Sequence, residues 1–514
     1  MHGSMITTSA QLGRTIRTRD GQVRGAPRDE NGVLAFKGVP YAAPPIGPLR
    51  WRAPQPPAPW HGVRDAFAFG AASLSSLEND QRPGPRSEDC LTLNIWTAAK
   101  GPDENRPVMV WIHGGGFQFG SSANPATDGG PLAAKGVVVV SFNYRLGVFG
   151  FLAHPDLDAQ SPSGNFGLQD QLAALRWVKA NIAAFGGDAD NVTLFGESAG
   201  AMAVGVLMAS PLAHGLFHKA ICESGAFWDG RHGCLQGFDE ARARGTAFVR
   251  AHGNGSIAAL RAMPADQLNA AAPWSFAYDH VTQSFSPSID RYVVPDVPAR
   301  RFLRGEQMHI PLLAGWNSAE EFPFMSLSLS AHSAQAFRDA AAELFGKDQM
   351  ADVLKHYPAD TDAQAKASAA ALAGDMVVGE QCWQALRLHR SSTRAPVYGY
   401  QFTYTSPYTP IASHVTEIPF VFGTLTPQRI IGSTAPPNEA DRALAETMMT
   451  YWVNFATRGN PNGSGLPLWP AYDESDVVQI LGATIEARPN PQADRFRFLG
   501  SFREDGVLST RWRQ

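Results

Sequence analysis

Four cysteines in 514 residues are too few for a disulfide scaffold. Cys90, Cys222, Cys234 and Cys382 are also too far apart for the paired CxxC spacing of a zinc site. This argues against a small disulfide-stapled secreted fold and suits a chain kept in a reducing cytoplasm. Long apolar runs are missing as well. The most apolar stretch, Gly136 to Phe151, is broken by Asn143 and Arg145 and is too short to cross a bilayer. It reads as a buried strand and a turn. No excess of one charge is present: 43 Lys and Arg stand against 47 Asp and Glu, a net charge of −4. A nucleic-acid or anionic-membrane partner is therefore not expected. The first residues, Met1 to Gly21, hold no apolar core of a secretion signal. Met1–Ser4 reads as an appended leader, which leaves residues 5–514 as one domain. Internal repeats and low-complexity tracts are absent.

What the chain does have is alternation. Val108–Ile112, Val137–Phe142 and Val192–Phe195 are continuous apolar runs. Between the last two, Leu172, Leu175, Val178, Ile182 and Phe185 recur at roughly helical spacing within Leu168–Phe185. Pro311–Ala314, Val397–Tyr404 and Val477–Leu481 are further strand candidates, and Ser333–Arg390 reads as alanine-rich helices. Continuous apolar strands separated by helices predict a mostly parallel sheet buried on both faces. Pro40–Pro59 and Gly101–Pro107 read as surface connections.

Gly196-Glu197-Ser198-Ala199-Gly200 fits the GxSxG pattern of a nucleophilic serine, with a strand candidate before it and the apolar Ala201–Ala209 after it. A serine on so sharp a strand-to-helix turn needs neighbours without bulk two residues away on either side. A second glycine cluster, His113-Gly114-Gly115-Gly116-Phe117, follows the strand Val108–Ile112. It matches the loop that lines the oxyanion site of esterases, where fixed amides stabilise the alkoxide formed in acyl transfer. Gly115, Gly116 and Ala199 are the expected donors. The glycines also sketch a dinucleotide loop, but the next strand ends Phe142-Asn143-Tyr144-Arg145, without an acid to hold a ribose.

In this arrangement the acid and then the histidine follow the serine in the chain. Ten histidines lie beyond Ser198. Pattern favours His414, in a loop after the strand Val397–Tyr404 and before the apolar Ile418–Phe422. Glu320 and Glu321 both follow the strand ending at Ala314, and periodicity does not choose between them. A histidine base makes the rate rise with pH, around about 6.5 for an unperturbed imidazole.

Taken together, these segments resemble the type-B carboxylesterases, an α/β-hydrolase family. The likeness runs from about Gly21 to Tyr472. It is carried by Phe36–Ala42, Ser87–Trp96, Phe142–Gly147, Gly164–Gln171, Phe185–Asp188 and Trp452 to Asn462. It implies an α/β-hydrolase fold with helical insertions over the site, and hydrolysis of carboxylic esters without metal or organic cofactor. It selects Glu320 through Gly315-x-Asn317-x-x-Glu320, and supports His414 through His414-x-x-Glu417-Ile418-Pro419. It places Glu197 and Ser224 in a polar shell around the triad. Two family glycines are replaced, by Glu321 after the acid and by Val415 after the histidine. The upstream cysteine that usually pairs with the position of Cys90 is absent, so Cys90 is expected to be a free thiol. The three-glycine oxyanion loop resembles that of esterases able to take esters of tertiary alcohols.

Phe117, Phe119, Phe227, Trp228, Phe322 and Phe324 stand near these motifs and suggest a pocket for an uncharged apolar or aromatic ester. The expected partner is a small-molecule ester, with the oligomeric state, monomer or small homo-oligomer, left open. An amidase or carbamate hydrolase could use the same groups. A non-catalytic binding protein on this fold typically lacks the serine or histidine, and both are present here.

Overall fold

A computed structural model describes residues 12–76, 84–158, 162, 164–227, 235–274, 285–320, 333–425, 433, 435–504 and 507–508. A ten-stranded sheet organises the chain. Its strands, in chain order, are β1 (Leu34–Pro40), β2 (Thr92–Thr97), β3 (Arg106–Ile112), β4 (Val138–Phe142) and β5 (Gly187–Glu197), followed by β6 (Lys219–Glu223), β7 (Leu312–Asn317), β8 (Val397–Phe402), β9 (Val477–Leu481) and β10 (Ile485–Pro489). Across the sheet the order is β10-β9-β8-β7-β6-β5-β3-β4-β2-β1. The run from β9 to β4 is parallel, whereas β10 pairs antiparallel with β9, β2 with β4 and β1 with β2.

The continuously apolar runs Val108–Ile112, Val138–Val140 and Val192–Phe195 lie in the buried middle of parallel strands, where helices cover both faces. Met109, Trp111, Val139, Phe195, Ile221 and Leu313 pack on one face with the helices α6 (Glu439–Arg458) and Ile418–Phe422. Val108, Val110, Val140 and Leu194 pack on the other with α1 (Phe166–Asn181) and α2 (Ala199–Met208). The fold is thus the α/β-hydrolase class expected from the alternation. The alanine-rich stretch forms α3 (Ala334–Phe345) and α4 (Asp362–Gly374), which share a core around Phe337, Leu344 and Leu372, and α5 (Glu380–Ser392), whose Cys382, Trp383 and Leu386 join the main core.

Several sequence expectations shift. The apolar stretch after β4 closes with a short helix, Gly147–Phe151. Arg106 and Pro107 belong to β3 rather than to a surface connection. The proline-rich segment 40–59 is not wholly superficial either. It begins in β1, and its Trp51 is fully buried with the indole N–H on the Val148 carbonyl at 2.8 Å. Proline content marked these stretches as connections, but burial there is set by what packs on top. Cys90, Cys222 and Cys382 are buried free thiols, while Cys234 lies outside the described residues.

The topology also locates a crevice. β3 has β4 on one side and β5 on the other, so the chain switches direction there. In open parallel sheets ligands bind beyond the carboxyl ends of the strands at such a switch point.

Candidate active site

At that point β5 ends and α2 begins, with Ser198 between them at φ 55°, ψ −126°. A non-glycine residue held there costs about 1–3 kcal/mol, which the surroundings must offset. The geometry explains the flanking glycines. A Cβ on Gly200 would lie 2.0 Å from the Ile112 carbonyl oxygen, and one on Gly196 2.6 Å from the Gly200 carbonyl carbon. Any side chain at either position would push β3 away from the turn. The Ser198 amide donates to the Glu223 carbonyl at 2.9 Å, anchoring the turn to β6.

Two loops from the same sheet edge meet beside it. Glu320 follows β7 and His414 follows β8. They are tied by an isolated bridge between Ala319 and Ser413 and by the Asn317 side-chain amide, which donates to the Ser413 carbonyl at 2.8 Å. His414 Nδ1 lies 2.7 Å from Glu320 Oε2, while Glu320 Oε1 accepts the Asn317 amide at 2.6 Å. Imidazole Nε2 is 3.2 Å from Glu197 Oε1. Burial by itself lowers the affinity of His414 for its proton. The charge of Glu197, the hydrogen bond and charge of Glu320, and the charge of Glu417 outweigh it and push the imidazole up to about 9. The sequence expectation of an unperturbed histidine is therefore corrected upward. Val415, where the family has glycine, sits at φ 70°, a left-handed conformation costly for a β-branched residue. Glu321 lies outside the described residues.

The glycine loop after β3 closes the site. Gly114 is so near the serine turn that a Cβ there would be 2.8 Å from Glu197 Oε2 and 3.0 Å from Ser198 Cβ. Gly115 and Gly116 have φ 108° and 61°, and the Gly115 carbonyl accepts the amides of Gln118 and Phe119. Among the described residues, the amides of Gly115, Gly116 and Ala199 donate to no protein acceptor. His113 stacks on Tyr144, and the Tyr144 hydroxyl donates to the His113 carbonyl at 3.0 Å, bracing the loop from behind.

The aromatic residues read as pocket lining divide. Phe117 is wholly buried, edge-to-face on Tyr144 and Phe151, so it supports the loop as core. Phe227 packs edge-to-face on Phe302 at 4.9 Å and is likewise buried. Phe119 is half-buried and leans on Trp274 at 5.8 Å. Trp228, Phe322 and Phe324 lie outside the described residues. Trp274, which sequence reasoning missed, faces Gly116: a Cβ on that glycine would be 3.6 Å from its ring. No motif marks it, because it reaches the loop from more than 150 residues away in the chain.

Behind the histidine, Ser224 Oγ donates to Glu417 Oε1 at 3.0 Å and the Asn317 side-chain amide to Glu417 Oε2 at 2.6 Å. Burial and the charge of Glu320 raise the Glu417 carboxyl to about 7, against the Asn317 hydrogen bond. Burial likewise holds Glu197 well above the usual carboxylate range, opposed by His414 and reinforced by Glu417 and Glu320. Sequence reading placed Glu197 and Ser224 near the triad but gave no role to Glu417, Asn317 or Glu223. Among the described residues no cluster of three or more His, Cys, Asp or Glu could hold a metal ion.

The carboxylesterase family model matches residues 13–499. The para-nitrobenzyl esterase of Bacillus subtilis is 38% identical, covering 93% of this chain and 97% of its own. The fumonisin B1 esterase of Sphingopyxis macrogoltabida is also 38% identical, over 91% of this chain and 86% of its own. A Geobacillus stearothermophilus carboxylesterase structure superposes with a TM-score of 0.82 at 34% identity, covering 94% of this chain and 99% of that one.

Proposed function

The chain belongs to the carboxylesterase family and hydrolyses carboxylic esters, and on that premise we propose that Ser198, Glu320 and His414 carry out the reaction. His414 takes the Ser198 proton as the hydroxyl oxygen attacks the ester carbonyl. Gly115, Gly116 and Ala199 present amides to the oxyanion, so no reorganisation is needed as charge develops. His414 then protonates the leaving alcohol. Water deprotonated by the same imidazole cleaves the acyl-enzyme, freeing the acid and Ser198. Throughout, Glu320 holds the Nδ1–H tautomer and stabilises the imidazolium. The 2.7 Å contact between Glu320 and His414, made by two loops at the edge where Ser198 emerges, carries this reading.

The pH profile tests it. The neutral imidazole is the base, so kcat/KM rises with pH, and the raised His414 puts the midpoint above about 6.5 and towards about 9. Glu197→Gln removes the charge 3.2 Å from Nε2 and moves the midpoint to lower pH. A rate that stays flat from roughly pH 5 to 8 would count against a histidine base, and a midpoint at or below about 6.5 would count against its elevation by the surrounding carboxylates. The sign for stability follows from the same shift. With the folded value above the unfolded one, the contribution of His414 is fully present below about 6.5 and is lost as pH rises through about 9.

The substrates we propose are uncharged apolar or aromatic esters, supported by Trp274 and Phe119 beside the oxyanion loop. Esters of tertiary alcohols belong to this proposal, because a loop without Cβ atoms leaves room for a branched carbon. Gly115 is a poor probe of that room, since a Cβ there would lie 2.0 Å from the Phe119 carbonyl oxygen and break the loop. Gly116 is the better one: its φ of 61° puts about 1–2 kcal/mol of backbone strain on any side chain, but the added methyl would meet Trp274 at an ordinary 3.6 Å. Gly116→Ala is expected to lower kcat/KM for tert-butyl acetate several-fold more than for ethyl acetate. Ready turnover of ethyl acetate by the wild type, with none of tert-butyl acetate, would reject the idea.

Two broader readings complete the proposal. Residues 5–514 work as one catalytic domain, supported by a single sheet that draws strands from residue 34 to residue 489. A cytoplasmic location is supported by the buried thiols of Cys90, Cys222 and Cys382. Among the described residues no helix is long and apolar enough to cross a membrane.

A further inference from the structure

Beneath the His414 loop the sheet carries a transverse row of polar side chains. Glu197 of β5 stands in register with Glu223 of β6, Glu223 with Gly315 of β7, and Gly315 with Tyr400 of β8. In-register neighbours in a parallel sheet point to the same face. Gly315 interrupts the row for a steric reason: a Cβ there would lie 2.2 Å from the Tyr400 ring. Trp452 of α6 covers this face, edge-to-face on Tyr400 at 5.4 Å, and its indole N–H donates to Glu223 Oε1 at 2.7 Å.

Four carboxyl groups, on Glu197, Glu223, Glu320 and Glu417, are buried here. Among the described residues no lysine or arginine pairs with any of them, and His414 is their cationic partner. Carboxylates crowded together out of water cannot all ionise against one imidazolium. The donors each group receives decide where a proton stays. Glu320 has the Asn317 amide and His414, and Glu417 has Ser224 and Asn317 on its two oxygens. Glu197 faces His414 Nε2. Among the described residues Glu197 Oε1 accepts no hydrogen bond, but it has the imidazole beside it, whereas Glu223 has neither a cation in contact nor more than one neutral donor. Trp452 serves its Oε1, while Oε2 has no hydrogen-bond partner among the described residues.

We infer that Glu223 is kept as a neutral carboxylic acid and acts as a positioning residue for Ser198. Two links make it one. Its main-chain carbonyl accepts the Ser198 amide, and its side chain ties that strand end to Trp452. A neutral acid makes the second link without adding a further charge to the carboxyls crowded round His414. Burial and the charge of Glu417 push its carboxyl well above the usual range, against the Trp452 hydrogen bond, and Glu197 adds to the rise. The other titratable groups nearby are Cys222 on its own strand, Cys382 on α5 and Tyr400 on β8. All are raised by burial and so stay neutral too.

The inference rests on Ser198 and His414 being the catalytic pair, so its first test needs no turnover. Infrared difference spectra at neutral pH should show the carbonyl band of a buried protonated carboxyl, lost in Glu223→Gln and kept in Ser198→Ala. Absence of that band overturns the neutral acid, whatever Ser198 does. In kinetics, Glu223→Leu leaves the Trp452 N–H without its acceptor and is expected to lower kcat about tenfold or more with KM little changed. Glu223→Gln keeps the acceptor, recovers most of that loss and leaves the pH midpoint in place. A Gln variant whose midpoint falls has lost an anion, and a Leu variant with full kcat has lost nothing. Either result refutes the inference. Should the Leu variant fail to fold, the band and the Gln midpoint decide.

Discussion

Ser198→Ala is expected to lower kcat for a simple ester by about 10⁴-fold or more while the protein stays folded. The fold should survive because the turn does not depend on the hydroxyl. The main-chain bonds from Ser198 to Glu223 and from Met202 to Ser198, each 2.9 Å, persist in the alanine variant. Alanine bears the φ of 55° at no greater cost than serine, and the flanking glycines still clear Ile112. Residual turnover would come from the amides of Gly115, Gly116 and Ala199 acting on water. The measurement is kcat with para-nitrophenyl acetate alongside a thermal melt. Activity within about tenfold of wild type, with an unchanged melt, would move the nucleophile elsewhere.

Glu320→Gln should come close to that loss, at roughly 10³–10⁴-fold in kcat. The reason lies in which atom faces which. One carboxylate oxygen accepts the Asn317 amide at 2.6 Å and the other meets His414 Nδ1 at 2.7 Å. A glutamine must keep its carbonyl on the Asn317 N–H, so its NH₂ turns to His414. The imidazole then accepts on Nδ1 and carries its proton on Nε2, the tautomer that cannot deprotonate a serine. A rate within about tenfold of wild type for Glu320→Gln, together with a severe loss for Glu321→Gln, would shift the acid by one residue.

How much of this could be read without coordinates differs from residue to residue. Val108–Ile112, Val137–Phe142 and Val192–Phe195 announced the parallel strands because helices on both faces leave such strands no polar side. β1 and β2 towards the sheet's edge were not singled out as strands, nor were the central β6, short and bounded by Lys219 and Glu223, and β10, whose exposed residues carry no apolar run. In the site, Phe117 illustrates the limit. Its place beside Gly114–Gly116 suggested pocket lining, yet a φ of 61° turns it into the core. Sequence neighbours of a tight turn can leave it in opposite directions, and side-chain type does not say which.

The sequence by itself determined the features that depend on a few consecutive residues. These are the glycine-flanked serine turn, the three-glycine loop after a strand, and the alternation that builds a parallel sheet. Each is a local steric or hydrophobic requirement, so it leaves a local mark. Only the tertiary structure decided what depends on chain segments far apart. Glu320 meets His414 across 94 residues, and Glu223 meets Trp452 across 229. Trp274 reaches Gly116 from a segment with no motif. The elevation of His414 is of this kind too. It arises from carboxylates on three separate segments, brought together where burial removes the water that would otherwise screen them.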